Sequence, residues 1–401
     1  MLRQAVILAG GKGTRLMPLT ADRPKPMVEI HGRPFLEYLI DLLKEDGIER
    51  VLILTGYMGE KIVEHFGDGS KFGIEITYND SPADDETGTR LVKAKDKIED
   101  EFLLLYCDNY WPLKLEKLLA FHREHDADPS RRGRDRAGGT MVVYSNKDKY
   151  SRENVRVNTE GFVELYDKSR TAEGLNGIDV GFFILKKSAL DLLPEGNPSF
   201  EREVLPQLAS TGTLAGYLTD HRYYTIGSLE RFEQAVEFLK PKKIALVDRD
   251  GTINVKSAKG KYVKNWSEFT FLPGAIDALT KLTKKGYEIY VITNQPGIGR
   301  GVVRRQDVEE IHANMSKELK KNGATIHGVY YCPHHWDDGC ECLKPKPGML
   351  FQAAREHRFD LTKAVFIGDD ERDGVAAETA DCRFIYVPTE KGIAAGVDKL
   401  T

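Results

Sequence analysis

The organisation of the first half of this chain follows from AVILAGGKGTR at residues 5–15. A continuous apolar run that leads directly into a glycine-rich loop is typical of a buried strand followed by a βα turn. Similar apolar runs recur at residues 51–57, 101–108 and 139–145, and residues 35–47 have helical spacing and end at a glycine. This alternation predicts a mainly parallel sheet with helices on both faces, which is a three-layer α/β/α fold.

The second half repeats the pattern after a helical segment at residues 229–239. Its apolar runs again end in polar loops: KKIALVDRDG at 242–251, YEIYVITNQ at 287–295 and KAVFIGDD at 363–370. A chain of 401 residues is longer than one hydrophobic core usually organises. We therefore predict two domains, residues 1–240 and residues 241–401, each a three-layer α/β/α fold with a mainly parallel sheet.

Composition narrows the class of protein. The net charge is −4, which argues against a general nucleic-acid or acidic-membrane surface. No apolar run approaches the roughly 20 residues that a membrane span needs, and the first run is too short for an export signal. We expect a cytoplasmic protein with no nucleic-acid or membrane partner. Residues 123–139 fit a solvated loop, with a basic site for a partner as the alternative. The sequence leaves open whether the protein forms a homo-oligomer.

The loop after the first strand has the composition of a phosphate cradle. Gly10, Gly11 and Gly13 let the backbone approach phosphate closely, and Thr14 and Arg15 follow directly. A glycine-rich turn alone also fits a purely structural βα connection. Downstream, Pro24-Lys25-Pro26 fixes one lysine between two prolines, which favours a preorganised cation for a polyphosphate.

These motifs, GGKGTRL and PKP, resemble the sugar-nucleotide pyrophosphorylase family over residues 5–238. The resemblance implies a Rossmann-like nucleotidyltransferase domain, in which Arg15 and Lys25 act on the triphosphate, Asp108 holds Mg²⁺ and Lys168 binds the sugar phosphate. Asp108 by itself also fits a helix cap. The nucleotide and sugar-phosphate site implied by the family comprises Gly10, Gly11, Gly13, Thr14, Arg15, Lys25, Gly88, Asp108 and Lys168.

The reaction of such a domain needs positioning more than covalent chemistry. A sugar-phosphate oxygen attacks the α-phosphorus of a nucleoside triphosphate and pyrophosphate leaves, while Mg²⁺ and lysines neutralise charge. Two positions depart from the family. Thr225 stands where a second metal-binding aspartate is usual, and Arg90 stands where small residues are usual. Either the metal shell is completed differently, or the domain has lost rate or changed substrate; a domain that only binds a nucleotide sugar is the alternative.

The second half carries a different set of strand-end residues. Asp248 and Asp250 directly follow a predicted strand, so one carboxylate can attack phosphorus and the other can protonate the leaving oxygen. Acidic turns with glycine are also common without chemistry. Thr293, Lys344 and Asp369 lie at or near later strand ends.

This order of motifs resembles the haloacid dehalogenase superfamily of phosphatases, which implies a HAD-like domain. Asp248 is then the nucleophile, Asp250 the general acid and base, and Thr293 and Lys344 steady the phosphoryl oxygens. The resemblance implies that Asp248, the carbonyl of Asp250 and Asp369 hold Mg²⁺. Asp373 is a weaker candidate that fits an orienting role.

Three of the five cysteines are clustered. Cys332-Pro333-His334 and Cys340-Glu341-Cys342 supply three thiolates and one imidazole, the donor set of a structural Zn²⁺ site. His335 is adjacent, so spacing leaves the choice of histidine open, and the family pattern favours His334.

Phosphatases with this cysteine cluster resemble heptose 1,7-bisphosphate 7-phosphatases and histidinol-phosphatases. The first kind leaves a sugar 1-phosphate, which a pyrophosphorylase consumes, so we expect a pathway to nucleotide-activated heptose, with GTP as the triphosphate. A histidinol-phosphatase with an unrelated partner domain is the alternative. Leu343 departs from the arginine that these relatives carry before the catalytic lysine, which weakens the substrate assignment more than the chemistry.

Overall fold

The computed structural model describes residues 2–126, 138–258 and 260–400. Most of the polar segment 123–139, for which a solvated loop was predicted, lies outside the described residues. The chain divides into two compact units, Met1–Glu237 and Phe238–Thr401. Within the described ranges, no helix is both long and apolar enough to cross a membrane.

The first unit is built on a seven-stranded sheet with the order β12-β8-β11-β6-β1-β4-β5. β11 is antiparallel to both of its neighbours and the other pairings are parallel, so the predicted mainly parallel sheet is confirmed. The strands of this unit are β1 Gln4–Leu8, β2 Glu29–Ile30, β3 Arg33–Pro34, β4 Arg50–Thr55, β5 Glu75–Asp80, β6 Glu101–Tyr106, β7 Asn109–Tyr110, β8 Gly139–Tyr144, β9 Val155–Val157, β10 Val163–Tyr166, β11 Ile178–Lys186, β12 Leu214–Thr219 and β13 Tyr224–Thr225.

Helices of this unit pack an apolar stripe on the sheet. In the first helix, Phe35, Leu36, Leu39, Ile40 and Leu43 recur at helical spacing and are buried. The helix ends before Gly47, whose φ of 85° only glycine adopts easily. The helices are α1 Phe35–Glu45, α2 Gly59–Phe66, α3 Thr87–Lys93, α4 Leu115–Asp126, α5 Phe200–Ser210 and α6 Leu229–Phe238.

The second unit is a five-stranded, wholly parallel sheet with the order β16-β15-β14-β17-β18. Its strands are β14 Lys243–Val247, β15 Tyr287–Asn294, β16 Ile326–Cys332, β17 Val365–Gly368 and β18 Arg383–Tyr386. Its helices are α7 Ala275–Lys284, α8 Arg305–Lys321, α9 Gly348–His357, α10 Glu371–Thr379 and α11 Ala394–Val397. Separate apolar cores form from buried residues of this sheet and its helices, and the carboxyl ends of the strands meet at one edge.

Candidate active sites and metal centre

A cavity of about 980 Å³ opens at the carboxyl ends of β1 and β6 in the first unit. It lies where the ends of parallel strands and the loops that follow them commonly bind ligands. Of the residues that sequence reasoning placed in the nucleotide and sugar-phosphate site, the cavity is lined by Gly10, Gly11, Gly13, Thr14, Arg15, Lys25, Asp108 and Lys168.

The glycine loop and the lysine of the PKP segment pack directly against each other. Gly13 has a φ of 62°, and a Cβ at this position would lie 2.9 Å from Cβ of Lys25. The Thr20 hydroxyl donates to the Gly13 carbonyl at 3.0 Å. Only a glycine therefore fits this contact, which holds the stem of Lys25 beside the phosphate cradle.

Lys25 forms an ion pair with Asp108 at the end of β6. Both side chains are mostly shielded from water, so their mutual attraction is stronger than that of a surface pair. The backbone N–H of Ile226 donates to the carbonyl of Asp108 at 2.9 Å, which brings Thr225 to the same edge. The Thr225 hydroxyl accepts a hydrogen bond from Gly227 N at 3.1 Å and adds no charge to the site.

The other end of the cavity holds Lys168, Glu201 and Asp179. Lys168 Nζ lies 3.6 Å from the buried carboxylate of Glu201, which also accepts from the hydroxyls of Thr87 at 2.7 Å and Ser199 at 2.9 Å. The sequence pattern did not mark Glu201, because an acidic residue in the first turn of a helix usually serves only to stabilise the helix end. Its place beside Lys168 becomes visible only when α5 packs near the end of β10, which precedes Lys168, and near Thr87 at the start of α3.

Asp179 stands on β11. Its carboxylate accepts from Gly181 N at 2.7 Å and from the Tyr166 hydroxyl at 3.1 Å. Burial raises the pKa of Asp179 to about 6, against the opposing effect of these donors and of Lys168. Near pH 6, this group therefore changes between a neutral acid and a carboxylate inside the cavity.

Replacing Asp179 with asparagine should change how stability depends on pH. A carboxyl group with a raised pKa in the folded state contributes stability that is fully present below its unfolded pKa of about 3.9 and is lost as the pH rises through 6. The free energy of unfolding of the unsubstituted chain should therefore fall by about 2 kcal/mol more between pH 4.5 and pH 7.5 than that of Asp179→Asn. Urea denaturation of both proteins at the two pH values measures this difference. The same change of stability with pH in both proteins would contradict the raised pKa of Asp179.

Gly88 is not among the described residues that line the cavity, although the family resemblance placed it in the nucleotide site. A Cβ on Gly88 would lie 2.5 Å from Cδ2 of Leu193 and 2.7 Å from the Pro198 carbonyl. Its N–H donates to that same carbonyl at 3.0 Å. This glycine allows the start of α3 to pack closely against the chain before α5, which is a packing role.

Arg90, one of the two departures from the family pattern, lies buried beneath the glycine loop. Its guanidinium donates to the carbonyls of Thr55 at 2.7 Å and Pro82 at 2.8 Å, and to the Ser81 hydroxyl at 2.8 Å. A further donation reaches the Gly10 carbonyl at 3.3 Å. Burial lowers the pKa of Arg90, and nearby acidic residues oppose this. The long cation therefore ties the ends of neighbouring strands together, and it forms part of the lining of the cavity.

Arg90→Met should destabilise the first unit strongly. Methionine fills a similar volume but leaves buried carbonyl groups without donors, and an unsatisfied buried polar group costs about 1–3 kcal/mol. With several acceptors affected, we expect a loss of about 3 kcal/mol or more. Thermal and urea unfolding measure the loss, and Arg202→Met, at an exposed position of α5, is the matched control. A loss equal to that of the control would show that the carbonyl contacts contribute little.

The second unit brings three carboxylates and a lysine together at the carboxyl edge of its sheet. Asp248, Asp369 and Asp373 each offer an oxygen within 4.8 Å of the others. Lys344 Nζ lies 2.7 Å from Asp248 and 2.6 Å from Asp373, and it also donates to the Ile292 carbonyl at 2.8 Å. Burial raises the pKa of Asp248, which Lys344 opposes and the two other carboxylates reinforce.

Asp250 is held apart from this group by its own set of donors. Its carboxylate accepts from the Arg249 guanidinium at 2.7 Å, from Asn254 at 2.9 Å and from Gln295 at 2.8 Å. Burial disfavours the charged form, but Arg249 and these amides outweigh it and hold the pKa of Asp250 below its ordinary value. Gln295 also donates to the buried Thr293 hydroxyl at 3.0 Å, so Thr293 and Asp250 share one partner.

The surroundings of the Asp369 carboxylate fit a bound Mg²⁺. Asp369 Oδ2 accepts from Lys256 and from Thr389, each at 2.8 Å, whereas Oδ1 is buried and has no hydrogen-bond partner among the described residues. Carboxylate oxygens are the ligands that Mg²⁺ prefers. Gly251, with a φ of 97°, leaves room here, since a Cβ would lie 2.3 Å from Asp369. Sequence reasoning missed Lys256, which lies far from Asp369 along the chain and belongs to no motif.

A second candidate metal site begins at the end of β16. The Sγ atoms of Cys332, Cys340 and Cys342 lie 3.2–3.6 Å from one another, and His334 Nδ1 lies 3.6 Å from Cys332 and 3.2 Å from Cys342. A tetrahedron with metal–sulfur bonds of about 2.3 Å has edges of about 3.8 Å, so this set can hold one ion. His335 instead accepts from Asp337 N and begins the short turn at Trp336–Asp338.

Comparison with known proteins shows that the two units match different protein families. Residues 4–242 match the family model described as Nucleotidyl transferase, and residues 243–383 match the model described as Polynucleotide kinase 3 phosphatase. The chain is 38% identical over 152 residues to the D-glycero-beta-D-manno-heptose-1,7-bisphosphate 7-phosphatase of Pseudomonas aeruginosa, which covers 38% of this chain and 84% of that protein.

Two further likenesses concern the first unit. Over 238 residues the chain is 33% identical to the "Probable glucose-1-phosphate cytidylyltransferase" of Bacillus subtilis, covering 53% of this chain and 87% of that protein. The crystal structure of HddC from Yersinia pseudotuberculosis aligns at 25% identity with a TM-score of 0.49, covering 60% of this chain and 100% of that chain. This chain belongs to the nucleotidyl transferase family through residues 4–242 and, through its second unit, to the phosphatase family that includes the Pseudomonas aeruginosa relative.

Proposed function

We propose that this chain catalyses two consecutive steps toward a nucleotide-activated heptose. The second unit removes the 7-phosphate from D-glycero-D-manno-heptose 1,7-bisphosphate, and the first unit transfers a nucleotidyl group to the remaining heptose 1-phosphate and releases pyrophosphate. The observation that carries this proposal is the pair of strand-end sites in one chain. One is a glycine-loop cavity with Lys25 and Asp108, and the other is a buried carboxylate group with Lys344.

The proposed phosphatase step uses the carboxyl groups of Asp248 and Asp250. A carboxylate oxygen of Asp248 attacks phosphorus, the bond from phosphorus to the sugar oxygen breaks, and that oxygen takes a proton from Asp250. Asp250 then accepts a proton from water, the water oxygen attacks phosphorus, and inorganic phosphate leaves Asp248 free. Arg249 and the two amides lower the pKa of Asp250, which favours its role as a base in the second half, and the negative charge of an arriving phosphate favours its protonation for the first half.

Asp248 and Asp369, with the Asp250 carbonyl as a further predicted ligand and Asp373 near, would hold Mg²⁺. The bound ion would supply charge neutralisation, so that Asp248 could ionise and approach an anionic phosphate. Lys344 and Thr293 are the proposed donors to the phosphoryl oxygens. Zn²⁺ at Cys332, His334, Cys340 and Cys342 has a structural role, because all four donors come from the protein and leave no open position.

In the first unit, the glycine loop with Arg15 and Lys25 is proposed to hold the triphosphate, and Lys168 the sugar phosphate. The proposed Mg²⁺ ligand is Asp108, where a divalent cation supplies charge for the leaving pyrophosphate. Arg90 gives no support to a domain that only binds, because its guanidinium is occupied by backbone carbonyls beneath the loop. Thr225 leaves one carboxylate fewer at this edge, so a lower rate than usual for the family is expected.

A substrate screen on the full-length chain tests the proposal. Heptose 1,7-bisphosphate and histidinol phosphate are compared for phosphate release, and heptose 1-phosphate is offered with GTP, CTP, ATP and UTP for pyrophosphate release. We expect the bisphosphate and GTP to be preferred; the cytidylyl name of the Bacillus subtilis relative makes CTP the strongest rival. Fast release from histidinol phosphate alone would overturn the heptose assignment, and binding of a triphosphate without turnover would favour a sensor domain.

A further inference from the structure

The cavity of the first unit contains two arginines, Arg170 and Arg231, that the proposed reaction does not use. Lys12, Lys25 and Lys168 each lie beside a carboxylate. Neither arginine has a carboxylate partner among the described residues, since both donate to neutral groups. The two arginines therefore have no directly paired carboxylate among the described residues, although Asp179 and Glu201 line the same cavity.

Both guanidinium groups are anchored on three consecutive residues, 150–152. Arg170 donates to the Ser151 hydroxyl at 3.2 Å and to the Arg152 carbonyl at 2.7 Å. Arg231 donates to the Tyr150 carbonyl at 2.7 Å and lies 3.8 Å above the centre of the Tyr150 ring. A guanidinium has five N–H donors, so these contacts fix the direction of each side chain and leave further donors for a ligand.

The start of α6 adds to the same charge. Arg231 lies in the first turn of this helix, and the preceding Gly227 and Ser228 also line the cavity. The first N–H groups of a helix carry a partial positive charge and commonly bind phosphate. Burial raises the pKa of Tyr223 to about 12; Tyr150 and Asp179 act in the same direction, and Arg170 and Arg231 oppose them.

We propose that Arg170, Arg231 and the start of α6 form a second anion subsite in this cavity, which binds a phosphate monoester of the sugar substrate. The inference rests on the proposed function. The carboxylate of Glu201 offsets the positive charge of Lys168, so Lys168 alone cannot neutralise the two negative charges of a phosphate monoester. A phosphate at carbon 1 and one at carbon 7 have the same chemistry. If the subsite binds the second, the bisphosphate consumed by the phosphatase competes with sugar 1-phosphate for the transferase.

The test uses the full-length chain and the variants Arg170→Gln and Arg231→Gln, with Arg202→Gln as the exposed control. Pyrophosphate release gives KM for heptose 1-phosphate and for the triphosphate. A 1-phosphate 7-phosphonate analogue, which the phosphatase cannot hydrolyse, gives an inhibition constant. Loss of a charge-assisted contact with phosphate should cost about tenfold to a hundredfold in the affected constant.

A rise in KM for heptose 1-phosphate, with KM for the triphosphate unchanged, assigns the subsite to the carbon 1 phosphate. A rise in the inhibition constant alone assigns it to the carbon 7 position. Both constants staying within about twofold of the control, or an equal rise in KM for the triphosphate, would overturn the subsite. If no triphosphate yields pyrophosphate, the proposed function fails instead, and calorimetric binding of the analogue then tests the subsite. A tenfold loss of affinity for the analogue in both variants supports the subsite, and an affinity equal to that of the control overturns it.

Discussion

Replacing Asp248 with asparagine in the full-length chain is expected to reduce phosphate release from the heptose bisphosphate by about 10⁴-fold, because removal of an attacking nucleophile costs on this order. An asparagine amide keeps the shape of the side chain but cannot form the acyl phosphate. Pyrophosphate release should stay within about twofold of the unsubstituted protein when heptose 1-phosphate is supplied directly. Supplying it is essential, because the variant cannot produce this intermediate. Phosphate and pyrophosphate are measured separately in the same reaction.

Asp108→Asn should give the opposite result. We expect pyrophosphate release to fall about 10²-fold or more, since a neutral amide binds Mg²⁺ poorly, while phosphate release continues.

Asp277→Asn, at an exposed position of α7, is the control for Asp248→Asn, because it also removes a carboxylate from the second unit. If Asp248→Asn retained a tenth of the phosphate release, Asp248 would not be the nucleophile. Equal loss of both activities in either variant would contradict two separate sites.

Several of the site residues predicted from the sequence directly follow buried strands. Asp108, Asp248 and Asp369 each stand after an apolar run, and the carboxyl ends of parallel strands converge whatever the lengths of the helices between them. The cysteine cluster was equally accessible, because its donors fall within eleven residues. In both cases a local pattern carries the spatial information, so neither required knowledge of how distant segments dock.

The residues that sequence reasoning missed act through partners far along the chain. Glu201 meets Lys168 and Thr87 only after α5 has docked, and Lys256, in the loop after β14, meets Asp369 at the end of the neighbouring strand β17. Arg249 is held between Asp250 and His312 of α8, at 2.7 Å and 2.9 Å. Gly88 shows the reverse problem. A glycine that lets a ligand approach and one that lets a helix pack look the same in a sequence.

Removing the metal from the cysteine cluster is expected to inactivate the phosphatase and leave the transferase working. The cluster closes the segment between Cys332, the last residue of β16, and Cys342, which precedes Lys344 by two residues. The cluster therefore holds the chain that carries Lys344 against Asp248 and Asp373. In a protein without the ion, only weak hydrogen bonds would be left to hold three thiols and an imidazole together.

Cys342→Ser should therefore lower the bound zinc from about one ion per chain to a small fraction, since one of four ligands is lost. It should also destabilise the second unit by about 3 kcal/mol or more, because metal binding to a preformed site contributes folding free energy. Zinc content, thermal unfolding with and without chelator, and the two activities measure this. Cys107→Ser removes a buried thiol from the first unit and should keep the metal and phosphate release. A zinc-free Cys342→Ser protein that still released phosphate at the original rate would show that Lys344 is positioned by the sheet alone, through Asn294, which donates to its carbonyl and accepts from its N–H, each at 3.0 Å.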